Sequence, residues 1–322
     1  MKTNGSAQSL MLFGVCLFLL LGTERAVAAS FPEKPVKIIA NFPAGSVIDM
    51  EARGVAPFLE KYLGVSVMVE NVTGADGKIG LIKLWKSKPD GTTLIYHTTT
   101  MSIIVEQLSN PEYRIADLSH VFGLTRSNQV LVVHPEKWKT FDEFMNAARS
   151  STLSAGLAGR GSTSHLNGLQ FSVGAGIKVN WVPFDGAPGA LAAVAGKHID
   201  FAIASTTSAT SLAKAGKLKP LVVLANSQDI AFPDVKLLKD FGYTFRVFPP
   251  IRGIDGPPKM EAGVVETLEK AFLKASKDPD FLGWAKKTRT EIIGLGAQEY
   301  GEEIRSEAKE VETFKDLLKG EK

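Results

Sequence analysis

This sequence has a single cysteine and a small net charge. Cys16 is the only cysteine among 322 residues, which excludes an intramolecular disulfide and a metal site built from several cysteines. Lysine and arginine number 37 against 34 aspartates and glutamates, and so small an excess argues against a nucleic-acid surface. Hydrophobic residues make up 44% and charged residues 22%, which is typical of a folded globular chain.

A hydrophobic run long enough to cross a membrane is also missing. The apolar run at residues 10–21 is shorter than the ~20 residues that a bilayer requires. It follows Lys2 and precedes the small residues Ala26-Val27-Ala28-Ala29, a pattern typical of a signal peptidase site. Cys16 lacks the small residues expected before a lipid-modified cysteine. We therefore predict a cleaved signal peptide at residues 1–29 and a periplasmic protein.

The familiar catalytic and cofactor motifs are absent from the sequence. It contains no G-x-S-x-G, Walker or H-E-x-x-H motif, and its glycine-rich segments do not have the spacing of a dinucleotide-binding fingerprint. The histidines stand far apart, at positions 97, 120, 134, 165 and 198. We therefore expect neither a cofactor nor a metal site.

Predicted strands, among them residues 93–97 and 153–157, alternate with predicted helices along most of the chain, which indicates α/β architecture with parallel sheets. Beyond Pro257-Pro258 the sequence predicts helices and little strand. Two extended segments interrupt this alternation. They are residues 120–134, an apolar run interrupted by the polar residues 126–129, and residues 244–254. We interpret them as crossings between two doubly wound α/β lobes, joined by a two-strand hinge with a cleft between them. The predicted first lobe combines residues 30–124 with 248–322, and the second contains residues 125–247.

Small polar residues follow four of the predicted strands. They stand at Gly45-Ser46, within 159–165, within 183–186 and at 205–207. Ligands of open α/β sheets bind beyond the carboxyl ends of the strands, where helix N-termini offer unpaired N–H groups to a carboxylate or another small anion. Ordinary helix capping explains any one of these turns equally well, so the indication of a site comes from their number.

Several motifs occur in a characteristic order along the mature chain. They are Phe42-Pro43-Ala44-Gly45, Val69-Glu70-Asn71, Gly74-Ala75-Asp76-Gly77, Pro89-Asp90-Gly91-Thr92, Gly159-x-Gly161-Ser162-x-Ser164-His165, Val182-Pro183-Phe184-x-Gly186 and Arg252-Gly253-Ile254. This order is similar to that of the receptors of tripartite tricarboxylate transporters, the Bug family of periplasmic solute-binding proteins. The resemblance covers essentially the whole mature chain.

The resemblance implies a receptor of the type II periplasmic binding protein kind, which closes on a small organic carboxylate or a related polar metabolite. Integral-membrane transporter subunits are the implied partners, and receptors of this type can also serve a sensor protein. In the family, the loops that match residues 42–49 and 159–165 hold a carboxylate, largely through backbone amides. The candidate ligand-binding residues are Phe42, Ala44, Gly45, Ser46, Asp49, Thr98, Gly159, Gly161, Ser162, Thr163, His165, Phe184, Asp185, Ser205 and Thr206.

Two departures from the family pattern concern the ligand. Ser46 stands where the family often has a second glycine, and Asp185 stands where a basic or polar residue is common. Both argue against a simple dicarboxylate or tricarboxylate. The alternative function is an α/β enzyme, a lyase or hydrolase, that would use His165 with Asp49 or Asp185 as acid–base groups. The export signal and the missing nucleophile motif favour transport.

Overall fold

A computed structural model describes residues 31–184, 186–225, 227–244 and 247–320. The predicted signal peptide at residues 1–29 and the predicted site residue Asp185 lie outside the described residues. Within the described part, no helix combines the length and the apolar character needed to cross a membrane. The predicted α/β class is confirmed, because strands and helices alternate and form two separate sheets.

The described residues contain eleven strands and ten α-helices. The strands are β1 (Val36–Ala40), β2 (Val67–Asn71), β3 (Thr93–Thr98), β4 (Ser119–Arg126), β5 (Gln129–Val133), β6 (Leu153–Leu157), β7 (Val179–Pro183), β8 (Phe201–Ser205), β9 (Lys219–Leu224), β10 (Ile251–Gly256) and β11 (Glu291–Leu295). The helices are α1 (Val47–Leu63), α2 (Lys78–Trp85), α3 (Thr99–Ser109), α4 (Phe141–Ser150), α5 (Thr163–Ala175), α6 (Ala187–Ala195), α7 (Thr206–Lys214), α8 (Ala262–Lys277), α9 (Pro279–Thr288) and α10 (Ala297–Gly320).

The first sheet has the strand order β11-β4-β10-β3-β1-β2, and the second has the order β7-β6-β8-β5-β9. The prediction of parallel sheets is only partly correct. β1 pairs in parallel with β2 and β3, whereas β10 is antiparallel to both β3 and β4. In the second sheet β5 is antiparallel to both β8 and β9. In each sheet the reversed central strand is the one by which the chain enters after crossing from the other sheet.

Both faces of each sheet are covered, which is the defining feature of a doubly wound fold. Ile38 and Ile39 are neighbours in β1 and both are fully buried, yet they belong to separate hydrophobic clusters. Leu131 and Val132 of β5 are divided in the same way. Since successive side chains of a strand point to opposite faces, each sheet has a packed layer on either side.

The two crossings contact each other and the second lobe through hydrogen bonds. Ser127 N–H donates to the Pro250 carbonyl at 3.2 Å, and Thr206 N–H donates to the Asn128 carbonyl at 2.9 Å. The Asn167 side chain on α5 bonds the backbone of Phe248 twice, donating to its carbonyl at 2.8 Å and accepting from its N–H at 2.9 Å. These bonds fix both crossings beside the first turns of α5 and α7.

Four strands bound the two passages of the chain between the sheets. β4 remains in the first sheet through Arg126, so the predicted boundary after residue 124 falls inside this strand. β5 begins the second sheet at Gln129, which leaves Ser127 and Asn128 between the two sheets. The predicted return boundary, between residues 247 and 248, lies between β9 and β10.

Candidate functional site

A cleft of about 190 Å³ lies between the carboxyl ends of strands from both sheets. Its lining residues come from the first turns of several helices and from both crossings. They are Phe42, Ser46, Val47, Ile48, Thr98, Met101, Gln129, Ala158, Ser162, Thr163, Ser164, Ala187, Ala204, Ser205, Pro250 and Arg252. A cleft of this size suits a small metabolite, since sites for drug-sized ligands span roughly 300–1,000 Å³.

A larger cavity, of about 720 Å³, lies beside the edge strand β11. Arg126 and Glu291, which form an ion pair at 2.7 Å, and apolar residues of the return crossing line it. None of its described lining residues belongs to the first turn of a helix, so it offers no converging N–H groups. The smaller cleft is therefore the candidate binding site.

The loop before α1 supplies one wall of the cleft. Ser46 caps the helix by accepting a hydrogen bond from Asp49 N–H at 3.3 Å, so the N–H groups of Val47 and Ile48, which have no intrahelical acceptor, lie at the cleft. Asp49 is turned back into the loop, where its carboxylate accepts from Gly45 N–H at 2.9 Å and from Arg53 Nε at 2.8 Å. Asp49 therefore shapes the loop.

Burial alone would raise the pKa of Asp49. The hydrogen bonds from Gly45, Asn71 and Arg53 outweigh burial, so the pKa lies below its ordinary value. Asn71 Nδ2 donates to Asp49 at 2.8 Å and to the Phe42 carbonyl at 3.0 Å. This ionised carboxylate thus holds together the loop that carries Phe42 and Ser46.

The turn before α5 supplies the opposite wall. Ser162 caps the helix by accepting from His165 N–H at 3.2 Å, and its hydroxyl contacts that of Ser164 at 2.9 Å. The N–H groups of Thr163 and Ser164 are the first two of the helix and have no intrahelical acceptor. Both residues line the cleft. The positive end of the α5 dipole is therefore directed at the same space as that of α1.

His165 supports this turn from inside the second lobe. Its Nδ1 accepts from Gly161 N–H at 3.0 Å, and its ring packs edge-on against Trp181. The side chain is 1% exposed and does not line the cleft. Because Nδ1 accepts, the ring is a neutral positioning group for the Gly161 turn. Gly161 itself has φ of +71°, a backbone conformation that favours glycine.

Two further helices begin at the cleft. Ser205 caps α7 by accepting from Ser208 N–H at 3.2 Å, and Thr98 occupies the N-cap position of α3. Met101 in the first turn of α3 adds an apolar surface. The N-termini of α1, α3, α5 and α7 therefore converge on one space, an arrangement that can stabilise an anion without a cationic side chain.

Arg252 is the cationic side chain that lines the cleft, and its charge is already neutralised. Its Nε donates to Glu51 Oε2 at 2.8 Å and its Nη2 donates to Glu51 Oε1 at 3.0 Å. Its Nη1 donates to the Ser127 hydroxyl at 3.0 Å. Burial alone would lower the pKa of Arg252, but the Glu51 carboxylate outweighs burial and raises it. The guanidinium is thus a permanently charged member of a closed ion pair.

The structure brings some of the sequence-predicted residues together and leaves others aside. Those that line the cleft are Phe42, Ser46, Thr98, Ser162, Thr163 and Ser205. Those that are described but do not line it are Ala44, Gly45, Asp49, Gly159, Gly161, His165, Phe184 and Thr206. Most of the second group shape the same turns: Thr206, for example, donates its N–H to the first crossing. Phe184 packs on the core of the second lobe.

Sequence reasoning missed several of the residues that line the cleft. They are Val47, Ile48, Met101, Gln129, Ala158, Ser164, Ala187, Ala204, Pro250 and Arg252. Val47, Ile48 and Ser164 could have been predicted from the neighbouring cap residues, because the first turn of a helix lies at the same surface as its cap. Gln129 lies in the polar interruption of the first predicted crossing, and that interruption is the signal that could have identified it.

Within the described residues, no group of three or more histidine, cysteine, aspartate or glutamate side chains could hold a metal ion. Of the two acid–base pairs that the enzyme alternative offers, the one between His165 and Asp49 is not assembled, and Asp185 of the other lies outside the described residues. Asp49 is bonded to Gly45, Asn71 and Arg53, and His165 lies behind the wall of the cleft. The geometry is that of a binding cleft made of helix caps.

The family model described as "Tripartite tricarboxylate transporter family receptor" matches residues 51–318 of this chain. The chain belongs to this family. It is a solute-binding receptor, and the resemblance seen in the sequence motifs is confirmed. The enzyme alternative has no support, because the family consists of substrate-binding receptors.

A relative agrees with this assignment, and two solved structures share the fold. A protein of Agrobacterium vitis from the TAR-I ttuE-ttuC' intergenic region is 30% identical over 254 residues, which are 78% of this chain and 73% of that protein. MatC from Rhodopseudomonas palustris with bound malate has a TM-score of 0.76 and 23% identity, and the match covers 89% of this chain and 100% of the other. An R. palustris protein with adipate has a TM-score of 0.79 and 21% identity, and the match covers 90% of this chain and 98% of the other.

Proposed function

We propose that this receptor binds a small organic carboxylate in the cleft between its two lobes and delivers it, in the periplasm, to the membrane subunits of a transporter. The observation that carries the proposal is the convergence of the α1 and α5 N-termini on one small space. The solved structures with malate and adipate support a carboxylate as the ligand. Periplasmic proteins among the solved structures of this fold support the location.

We further propose that the lobes move as units, residues 30–124 with 248–322 against residues 125–247. The connection between them narrows to two crossings, and short connections of this kind are where hinge rotation is absorbed. Closing the lobes brings the walls at Ser46 and Ser162 onto the ligand from opposite sides. The predicted signal peptide at residues 1–29 would direct the chain to the compartment where this ligand is collected.

The test removes single N–H groups from the two helix starts. Proline is tolerated at the first position of a helix, where it removes an N–H that has no intrahelical acceptor. The caps suit this change, since Ser46 has φ −67° and ψ 162° and Ser162 has φ −74° and ψ 163°, backbone angles that a following proline accepts. The test variants are therefore Val47→Pro and Thr163→Pro.

We expect each proline variant to bind succinate, malate or adipate at least tenfold more weakly than the parent, because a hydrogen bond to a charged group is lost. Ala262→Pro is the matched control: it occupies the first position of α8, after Glu261 with φ −63° and ψ 140°, and is exposed. Thr163→Val removes the hydroxyl and keeps the backbone N–H, so it separates the contribution of the side chain from that of the N–H. Calorimetry measures the affinities, and unchanged affinity in both proline variants would contradict an amide-held carboxylate.

A further inference from the structure

Gln129 has a buried side-chain oxygen without a partner. It is the first residue of β5, and its backbone lies between Ser205 of β8 and Leu224 of β9. The residue is 2% exposed, and its Oε1 has no hydrogen-bond partner among the described residues. A buried carbonyl oxygen without a donor is costly, so a structure that keeps one often supplies the donor from outside the chain.

The position of Gln129 distinguishes it from other residues with the same deficit. Gln170 on α5 also has a buried Oε1 without a partner among the described residues, and it is 4% exposed. Gln129 lines the cleft and Gln170 does not. Because Gln129 belongs to the cleft lining, a ligand bound there can supply a donor to its side chain, whereas no ligand of this cleft can do so for Gln170.

The charges around the cleft limit which ligand group can meet Gln129. Among the described lining residues, Arg252 is the one with a cationic side chain. Three of its five N–H groups already donate, two to Glu51 and one to Ser127, and the Glu51 carboxylate balances its charge. The helix N-termini can stabilise one carboxylate, but a second carboxylate at Gln129 would face an acceptor oxygen and a neutralised arginine.

We propose that Gln129 determines specificity by accepting a hydrogen bond from a hydroxyl, amine or amide group of the ligand. The preferred ligand is therefore a small carboxylate that also carries a hydrogen-bond donor, and an unsubstituted dicarboxylate is a poorer one. This inference rests on the proposed function, since it assumes that the carboxylate is held at the helix N-termini. Gln129 lies next to the first crossing, so the contact would form beside the hinge.

The experiment compares ligands that differ by one group. Malate is succinate with one added hydroxyl, and succinamate is succinate with one carboxylate replaced by a carboxamide. Calorimetric titrations of the mature chain should give malate and succinamate about three- to tenfold higher affinity than succinate, the effect of one hydrogen bond. Gln129→Met, which keeps the shape and removes the acceptor, should bring the three affinities within about twofold.

Two further variants keep the inference falsifiable. Gln170→Met is the matched control and should keep the parent's preference. Gln129→Glu retains an acceptor and adds a charge, so it should lose succinate affinity more than succinamate affinity, because like charges repel. A Gln129→Met variant that keeps the malate and succinamate preference, or a parent that prefers succinate, would overturn the role of Gln129. If the parent binds none of these acids and no other carboxylate, the proposed function itself fails.

Discussion

The ion pair between Glu51 and Arg252 gives the sharpest stability prediction. Glu51 is 2% exposed and Arg252 is 4% exposed, and the two are joined by hydrogen bonds of 2.8 and 3.0 Å. The carboxylate also accepts from the Tyr96 hydroxyl at 2.6 Å and from the Thr125 hydroxyl at 2.7 Å. One buried carboxylate therefore connects α1, β3, β4 and β10.

The perturbation is Glu51→Gln, which keeps the shape and one acceptor oxygen while removing the charge. The amide nitrogen cannot accept from Arg252 or from the two hydroxyls, so the cation stays buried without a counter-charge. Removing one partner of a buried pair costs about 3–5 kcal/mol, and two charges near 4 Å attract by about 4 kcal/mol at an effective dielectric constant of 20. We expect the free energy of unfolding to fall by this amount.

Urea unfolding at pH 7, followed by tryptophan fluorescence and circular dichroism, measures the effect. Glu266→Gln is the matched control, because Glu266 pairs with Lys270 at 2.6 Å on an exposed helix face and should leave the unfolding midpoint unchanged. The reasoning would be refuted by a Glu51→Gln variant that loses less than about 1 kcal/mol, the size of an ordinary hydrogen bond.

Three other outcomes are expected. Intact-mass measurement of protein isolated from the periplasm should place the mature N-terminus at Ala29 or Ser30, and a retained leader would contradict this. Burial alone would raise the pKa of Asp255, but His120 and His97 outweigh burial and lower that pKa to about 2. The ionised carboxylate therefore stabilises the fold above pH ~4, and this contribution is lost towards pH 2, so Asp255→Asn should cost roughly 2 kcal/mol more at pH 5 than at pH 2. Equal losses at the two pH values in urea titrations would argue against this role of Asp255. Asn167→Leu should cost about 2–4 kcal/mol in the same assay, because two backbone groups of Phe248 lose their partner; a loss below 1 kcal/mol would show that other groups satisfy them.

Strand positions were predictable wherever the pattern is local. The predicted strand 153–157 coincides with β6, and the predicted strand 93–97 differs from β3 by one residue. β11 was missed in a region where the sequence predicted helices. It is a short edge strand, half-buried along its whole length, and Gly294 with φ of +64° interrupts its alternation. Strand direction was also missed at β5 and β10, because hydrophobic periodicity does not depend on which way a strand runs.

The residues of the candidate site were likewise predictable only where the signal is local in the sequence. Ser46, Ser162 and Ser205 were predicted, since a small polar residue between a strand and a helix is a local signal for a cap, and all three cap their helices. Gln129, Met101 and Ala187 were not, because each meets the cleft only after distant strands have paired. The neutralisation of Arg252 by Glu51 could not be predicted from the sequence either, because the two residues are 201 positions apart and no spacing rule connects them.

The place of β10 in the first sheet has a consequence for the order of folding. β10 lies between β3 and β4, so the middle of this sheet cannot form until residues 251–256 are available. The second sheet needs only residues 129–224, and its contacts are closer in sequence. Since short loops close at lower entropic cost, we expect the second sheet, which is built from the middle of the sequence, to nucleate folding while the N-terminal strands of the first sheet wait for β10. The usual N-to-C order of domain folding is thus reversed by a single inserted strand.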